Sequence, residues 1–75
     1  MFVSYNRLWK LLIDRKMIKK DLRERAHLTT NVIAKLGRDE NVSTEVLCKI
    51  CEALNCKIED IIEILPDEGE HSNGK

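Results

Sequence analysis

The 75 residues carry 13 Lys/Arg against 13 Asp/Glu, and are 43% hydrophobic and 35% charged. This length fits one domain with a small core, because so short a chain buries only about 60% of the surface its unfolded form exposes. The mixture is globular rather than disordered, and no apolar run approaches the roughly 18 residues a spanning helix needs. Phe2, Tyr5 and Trp9 are too few and too clustered to form a stacking platform for single-stranded nucleic acid.

Met1 to Ser4 leads straight into an amphipathic pattern, without the features of a signal peptide. Three cysteines fit no disulfide framework, so a reducing cytoplasm is the expected compartment. The zero net charge conceals a strong asymmetry. Residues 1–38 hold ten Lys/Arg against three Asp/Glu, whereas residues 39–75 hold three against ten. A basic half of this kind suits a polyanion, although charges also segregate along short chains without any partner.

Only helical periods are apparent. Tyr5, Leu8, Trp9, Leu12 and Ile13 follow the i, i+3, i+4, i+7, i+8 rule, with Ser4 as the expected cap of a first helix over 5–15. A second helix is expected over 19–26. Leu22 and Ala26 face inward there, Lys19, Lys20, Arg23 and Arg25 form a basic face, and Asp21 is spaced to pair with Arg25. His27 and Leu28 turn the chain, and Thr29 caps a third helix that ends near Leu36 or Gly37. Gly37 is the expected left-handed terminator.

A fourth helix over 44–54 starts at Ser43 and buries Leu47, Ile50, Cys51 and Leu54, with Asn55 as its left-handed end. Ile58, Ile61, Ile62 and Leu65 describe a fifth helix, stopped by Pro66. Residues 67–75 are acidic and free of large apolar side chains, and are expected to form a flexible tail. The expected architecture is therefore all-α, a compact five-helix domain over 1–66.

The third helix, "TTNVIAKLGR", carries few apolar residues. On a helical wheel, Ile33 and Leu36 define its inner side; Asn31, Ala34, Lys35 and Arg38 fall opposite, with Thr30 at the flank. An amide, a small residue and cations are what a major groove can use. Asn can bond adenine bidentately, Lys can reach guanine acceptors, and small residues can pack on a thymine methyl. A second helix joined to it by a short turn gives the helix-turn-helix arrangement.

On these residues, "KKDLRERAHLTTNVIAKL" resembles the helix-turn-helix of the Cro/repressor-type family of bacterial and phage DNA-binding proteins. "GRDENVSTEVLCKICEALNCKIEDII" resembles that family's later helices. The similarity covers about residues 4–65. It implies a phage-repressor-type fold, with base reading by Thr30, Asn31, Ala34 and Lys35. Backbone contacts would come from Lys19, Lys20, Thr29, Arg38, Asn41, Ser43 and Thr44. The helix start at Ser43 and Thr44 suits a phosphate on independent grounds, since its free N–H groups and partial positive charge attract anions. Two positions depart from the family pattern. Arg23 stands where a small residue is usual, and His27 stands at the turn glycine.

The resemblance implies a stand-alone bacterial transcriptional regulator, a repressor, that binds double-stranded DNA in the cytoplasm. The aliphatic excess of Ile61, Ile62, Ile64 and Leu65 suggests a partner surface. A homodimer formed there, aided by Phe2 and Val3, would set two reading helices about 34 Å apart on a palindromic operator. The rival reading is a protein-interaction or antitoxin-like module docking through the same segment. Cys48, Cys51 and Cys56 are read as small hydrophobes, not zinc ligands, because a structural site needs four donors and His27 and His71 fall outside any ligand spacing. A redox role for Cys48 has no support in the spacing. No membrane partner, small-molecule ligand or cofactor is expected. Neither is catalysis, since no nucleophile, base and orienting group can be placed together.

Overall fold

The computed structural model describes residues 1–66; the tail expected over 67–75 lies outside them. The chain forms strand β1 (Phe2–Ser4) and helices α1 (Asn6–Asp14), α2 (Lys19–Arg25), α3 (Thr30–Gly37) and α4 (Thr44–Leu54). A single 3₁₀ turn (Ile58–Asp60) and strand β2 (Glu63–Leu65) follow.

The local signals that start and stop the helices act as their chemistry requires. Thr29 Oγ1 accepts from the Val32 amide at 3.1 Å, and Ser43 Oγ accepts from the Val46 amide at 3.2 Å. Each satisfies a donor that the first turn leaves unpaired, a contribution of about 1 kcal/mol. Asn55 ends α4 with φ at 52°. The Arg15 guanidinium donates to the Leu54 carbonyl at the same end. Asp21, spaced to pair with Arg25, accepts from the Ile18 amide at 3.0 Å and so secures the start of α2.

Two boundaries differ from expectation. The position before α1 is Tyr5, and its side chain makes no capping bond. Ser4 is instead a buried strand residue whose Oγ accepts from the Asn6 amide at 3.3 Å. Gly37 stays within α3, and the left-handed position falls two residues later, at Asp39 with φ at 56°. The Asp39 carboxylate accepts from the Tyr5 amide at 3.0 Å, a long-range bond that a glycine cannot make.

The five-helix expectation is corrected to four helices and a two-stranded sheet. β1 and β2 pair antiparallel, with Phe2 opposite Leu65, Val3 opposite Ile64 and Ser4 opposite Glu63. Eight residues ahead of a proline form only a marginal helix. A β-branched run does better extended, where a partner strand accepts its backbone groups. Arg7 fastens this end to α1. Its guanidinium donates to the Glu59 carbonyl at 3.1 Å and lies 3.7 Å from the Glu63 carboxylate.

The core runs between α1, α2, α3 and α4. Leu8 and Leu12 come from α1, Leu22 from α2, Leu36 from α3, and Ile50 and Leu54 from α4. Ile61 closes it and is 0% exposed, so it belongs to the core and not to a docking surface. Ile13, assigned to the inner face of the first helix, is 72% exposed. α1 is too short to bury its whole apolar stripe, and Leu8 and Leu12 already fill the inner face.

Candidate nucleic-acid interface

Four residues separate α2 from α3. Ala26 and Leu28 turn inward and are buried, while His27 adopts φ at 57° between them. The Leu28 amide donates to the Arg23 carbonyl at 2.9 Å, which locks the turn as α2 ends. Histidine therefore takes the conformation in which the family pattern favours glycine. Arg23 is half-buried rather than exposed. A long side chain is thus accommodated at the crossing, with room for its head to reach solvent.

The turn fixes how α3 presents itself. Leu36 is fully buried, and Val32 and Ile33 pack against the core as a half-buried second row. Thr30, Asn31 and Arg38 are exposed, whereas Ala34 and Lys35 are half-buried at the edge of the polar face. Thr29 is exposed beside them, its oxygen engaged as a cap acceptor and its hydroxyl hydrogen still able to donate. The expected reading residues therefore share one face, with Asn31 near its N-terminal end.

The expected backbone residues lie around that face. Lys20 is exposed on α2. The Lys19 ammonium sits 4.8 Å from the centre of the Trp9 ring, a cation–π contact that positions the charge. It also lies 3.7 Å from where a β-carbon on Gly37 would stand, next to the end of α3. Asn41, Ser43 and Thr44 are exposed at the entry to α4. Glu45 in that first turn is 3.9 Å from the Lys49 ammonium, so part of its charge is offset locally.

Arg38 has a partner that residue-by-residue reasoning missed. Its Nε donates to Glu40 Oε2 at 2.7 Å and its Nη2 to Oε1 at 3.4 Å. That hydrogen bond, with the Arg38 and Lys35 charges adding to it, holds the Glu40 carboxyl below its ordinary range. A spacing of two residues outside a helix carries no sequence signal for such a pair. Behind it, Tyr5 is buried and donates its hydroxyl to the Glu40 carbonyl at 2.8 Å. Burial first, and the Asp39 charge second, push the Tyr5 phenol above its ordinary value, so it remains a donor through neutral pH.

The cysteines are free thiols. Burial, then the neighbouring Cys56, pushes Cys51 up to about 11, and burial also raises Cys56. Both behave as half-buried apolar side chains, and Cys48 is exposed on α4. Among the described residues, no group of three His, Cys, Asp or Glu side chains is placed to hold a metal ion, and no helix is long and apolar enough to cross a membrane.

The arrangement has counterparts among known proteins. The crystal structure of the transcriptional regulator VanUg, form II, is similar to this chain at 59% identity and a TM-score of 0.85, over 88% of each chain. No curated protein matches the chain. A model of the Cro/C1-type HTH DNA-binding domain matches residues 7–67, from the second residue of α1 through β2. With its helix-turn-helix of α2 and α3 and its polar α3 face, the chain belongs to the Cro/C1-type helix-turn-helix DNA-binding domain family.

Proposed function

We propose that this protein is a sequence-specific transcriptional regulator of the bacterial cytoplasm, acting as a repressor by occupying double-stranded DNA, with no catalytic step. The observation that carries this reading is the composition of the exposed α3 face, where Thr30, Asn31 and Arg38 lie open beside Ala34 and Lys35. The similarity to a transcriptional regulator at 59% identity supports it. In this reading α3 enters the major groove, and Thr30, Asn31, Ala34 and Lys35 meet base edges. Lys19, Lys20, Thr29, Arg38, Asn41, Ser43 and Thr44 hold phosphates on either side. These contacts fix register, whereas the base contacts choose sequence.

The operator in this account is palindromic and the protein binds it as a homodimer. In this reading the dimer surface lies on the sheet rather than on a fifth helix. Ile64 is 59% exposed and Phe2 47%, with Leu65 and Ile62 half-buried nearby. Phe2 and its cross-strand partner Leu65 share one face of the sheet, and this apolar pair supports pairing with a second copy.

Two lysines separate base reading from backbone holding. Lys35→Ala is expected to weaken binding to the preferred site and relax preference at one base position. Lys20→Ala is expected to weaken binding to every duplex alike and to reduce the salt slope by about one phosphate's worth, roughly 0.9. Titrations of both variants against the preferred site and a random duplex check this. Equal losses on both duplexes for both variants would refute the assignment.

A further inference from the structure

The Arg38–Glu40 pair lies at the end of the proposed reading helix. Both side chains are exposed, at 57% and 46%, so DNA docking on α3 can reach them. The Nε–Nη2 edge of Arg38 that grips Glu40 is also the edge that would grip a phosphate, because carboxylate and phosphate present similarly spaced oxygens. The two contacts compete for one side of one guanidinium.

Glu40 is not free to drift away. Its amide donates to the Lys35 carbonyl at 2.9 Å, and its carbonyl accepts from the buried Tyr5 hydroxyl at 2.8 Å. The preceding residue, Asp39, accepts from the Tyr5 amide at 3.0 Å. Three hydrogen bonds thus hold the backbone that carries Glu40 beside α3, and the Lys35 charge also acts on its carboxylate.

We infer that Glu40 is a built-in competitor for DNA: it occupies Arg38, which can hold the phosphate backbone only when the pair opens, and so lowers affinity for duplex of any sequence. This rests on the DNA-binding reading above. Because phosphate contacts carry no sequence information, the cost falls alike on cognate and random duplex. An exposed ion pair is weak, so the effect is a modest adjustment of affinity.

The test is a double-mutant cycle of Glu40→Gln, Arg38→Ala and the pair, titrated by fluorescence anisotropy against a labelled random-sequence duplex across a potassium chloride series. Neither substitution touches the core, and thermal melts report whether each variant keeps the fold. Glu40→Gln is expected to tighten binding about twofold to fivefold at low salt and to steepen the salt slope by about 0.9. In the Arg38→Ala background the same substitution is expected to have almost no effect. Equal tightening in both backgrounds would mean plain repulsion between the carboxylate and DNA, and would overturn the inference. Weaker binding by Glu40→Gln would overturn it too, because Glu40 would then be orienting Arg38 for its contact. Failure of the unaltered protein to bind any duplex at low salt would refute the DNA-binding reading and this inference with it; binding without coupling refutes the inference alone.

Discussion

Leu36→Ala is expected to lower unfolding stability by about 2–5 kcal/mol, the range for emptying a fully buried leucine site. Leu36 is 0% exposed and is the one fully buried side chain that α3 contributes. A domain of this length has only about 4–11 kcal/mol in total, at roughly 0.05–0.15 kcal/mol per residue. The loss is therefore a large fraction of the whole. Because Val32 and Ile33 are only half-buried, they cannot anchor the helix alone. The variant should lose the geometry of α3 along with its stability, so DNA binding falls at temperatures where much of the far-ultraviolet helical signal remains. Urea unfolding followed by circular dichroism measures the first effect. A loss below about 1 kcal/mol, within the range of ordinary surface substitutions, would mean that α3 is not held through this side chain.

Asn31→Ala is expected to cost about 1–3 kcal/mol of discrimination at the preferred site, the value of a bidentate amide–adenine contact. That corresponds to roughly fivefold to 150-fold in affinity. Binding to random duplex should change little, since no phosphate contact is assigned to this side chain. Thermal stability should not fall either. Asn31 is exposed in the first turn of α3, and alanine is the better helix former. A variant that folds as well as the parent yet cannot find its site isolates recognition from folding. Unchanged discrimination would remove Asn31 from the reading set and weaken the placement of α3 in the groove.

The four helices were legible because their signals are local. Thr29 and Ser43 cap within three residues, His27 and Asn55 turn left-handed where a helix ends, and Leu22 with Ala26, Ile33 with Leu36 and Ile50 with Leu54 stand at helical spacing. The sheet was not legible, for the opposite reason. β2 is defined by a partner near the other end of the chain, with Val3 facing Ile64. Within the segment itself, Ile58, Ile61, Ile62 and Leu65 mimic a helical stripe, and only the distant strand decides the outcome. Gly37 misled in a similar way. Asp39 takes the left-handed position because its carboxylate meets the Tyr5 amide, a contact no local rule contains.

The polar face of α3 followed from its wheel, and the exposure of Thr30, Asn31 and Arg38 agrees with it. The setting of its cations did not follow. The placement of Lys19 over Trp9 and the capture of Arg38 by Glu40 both depend on tertiary geometry. These contacts decide how much of the basic half's charge remains available to a polyanion. Counting charges along the chain therefore overstates what DNA would meet.

The most direct test of the central claim is enrichment of a random duplex pool on the protein, with the retained fraction sequenced and its affinity followed against salt. A negative log–log salt slope is expected, together with an enriched palindrome whose half-sites lie about one DNA turn apart, about 34 Å. Salt-dependent retention without any enriched sequence would contradict site-specific reading by α3. Failure to retain duplex even at low salt would contradict DNA binding altogether and leave the exposed sheet, with Phe2 and Ile64, as the surface to probe for a protein partner.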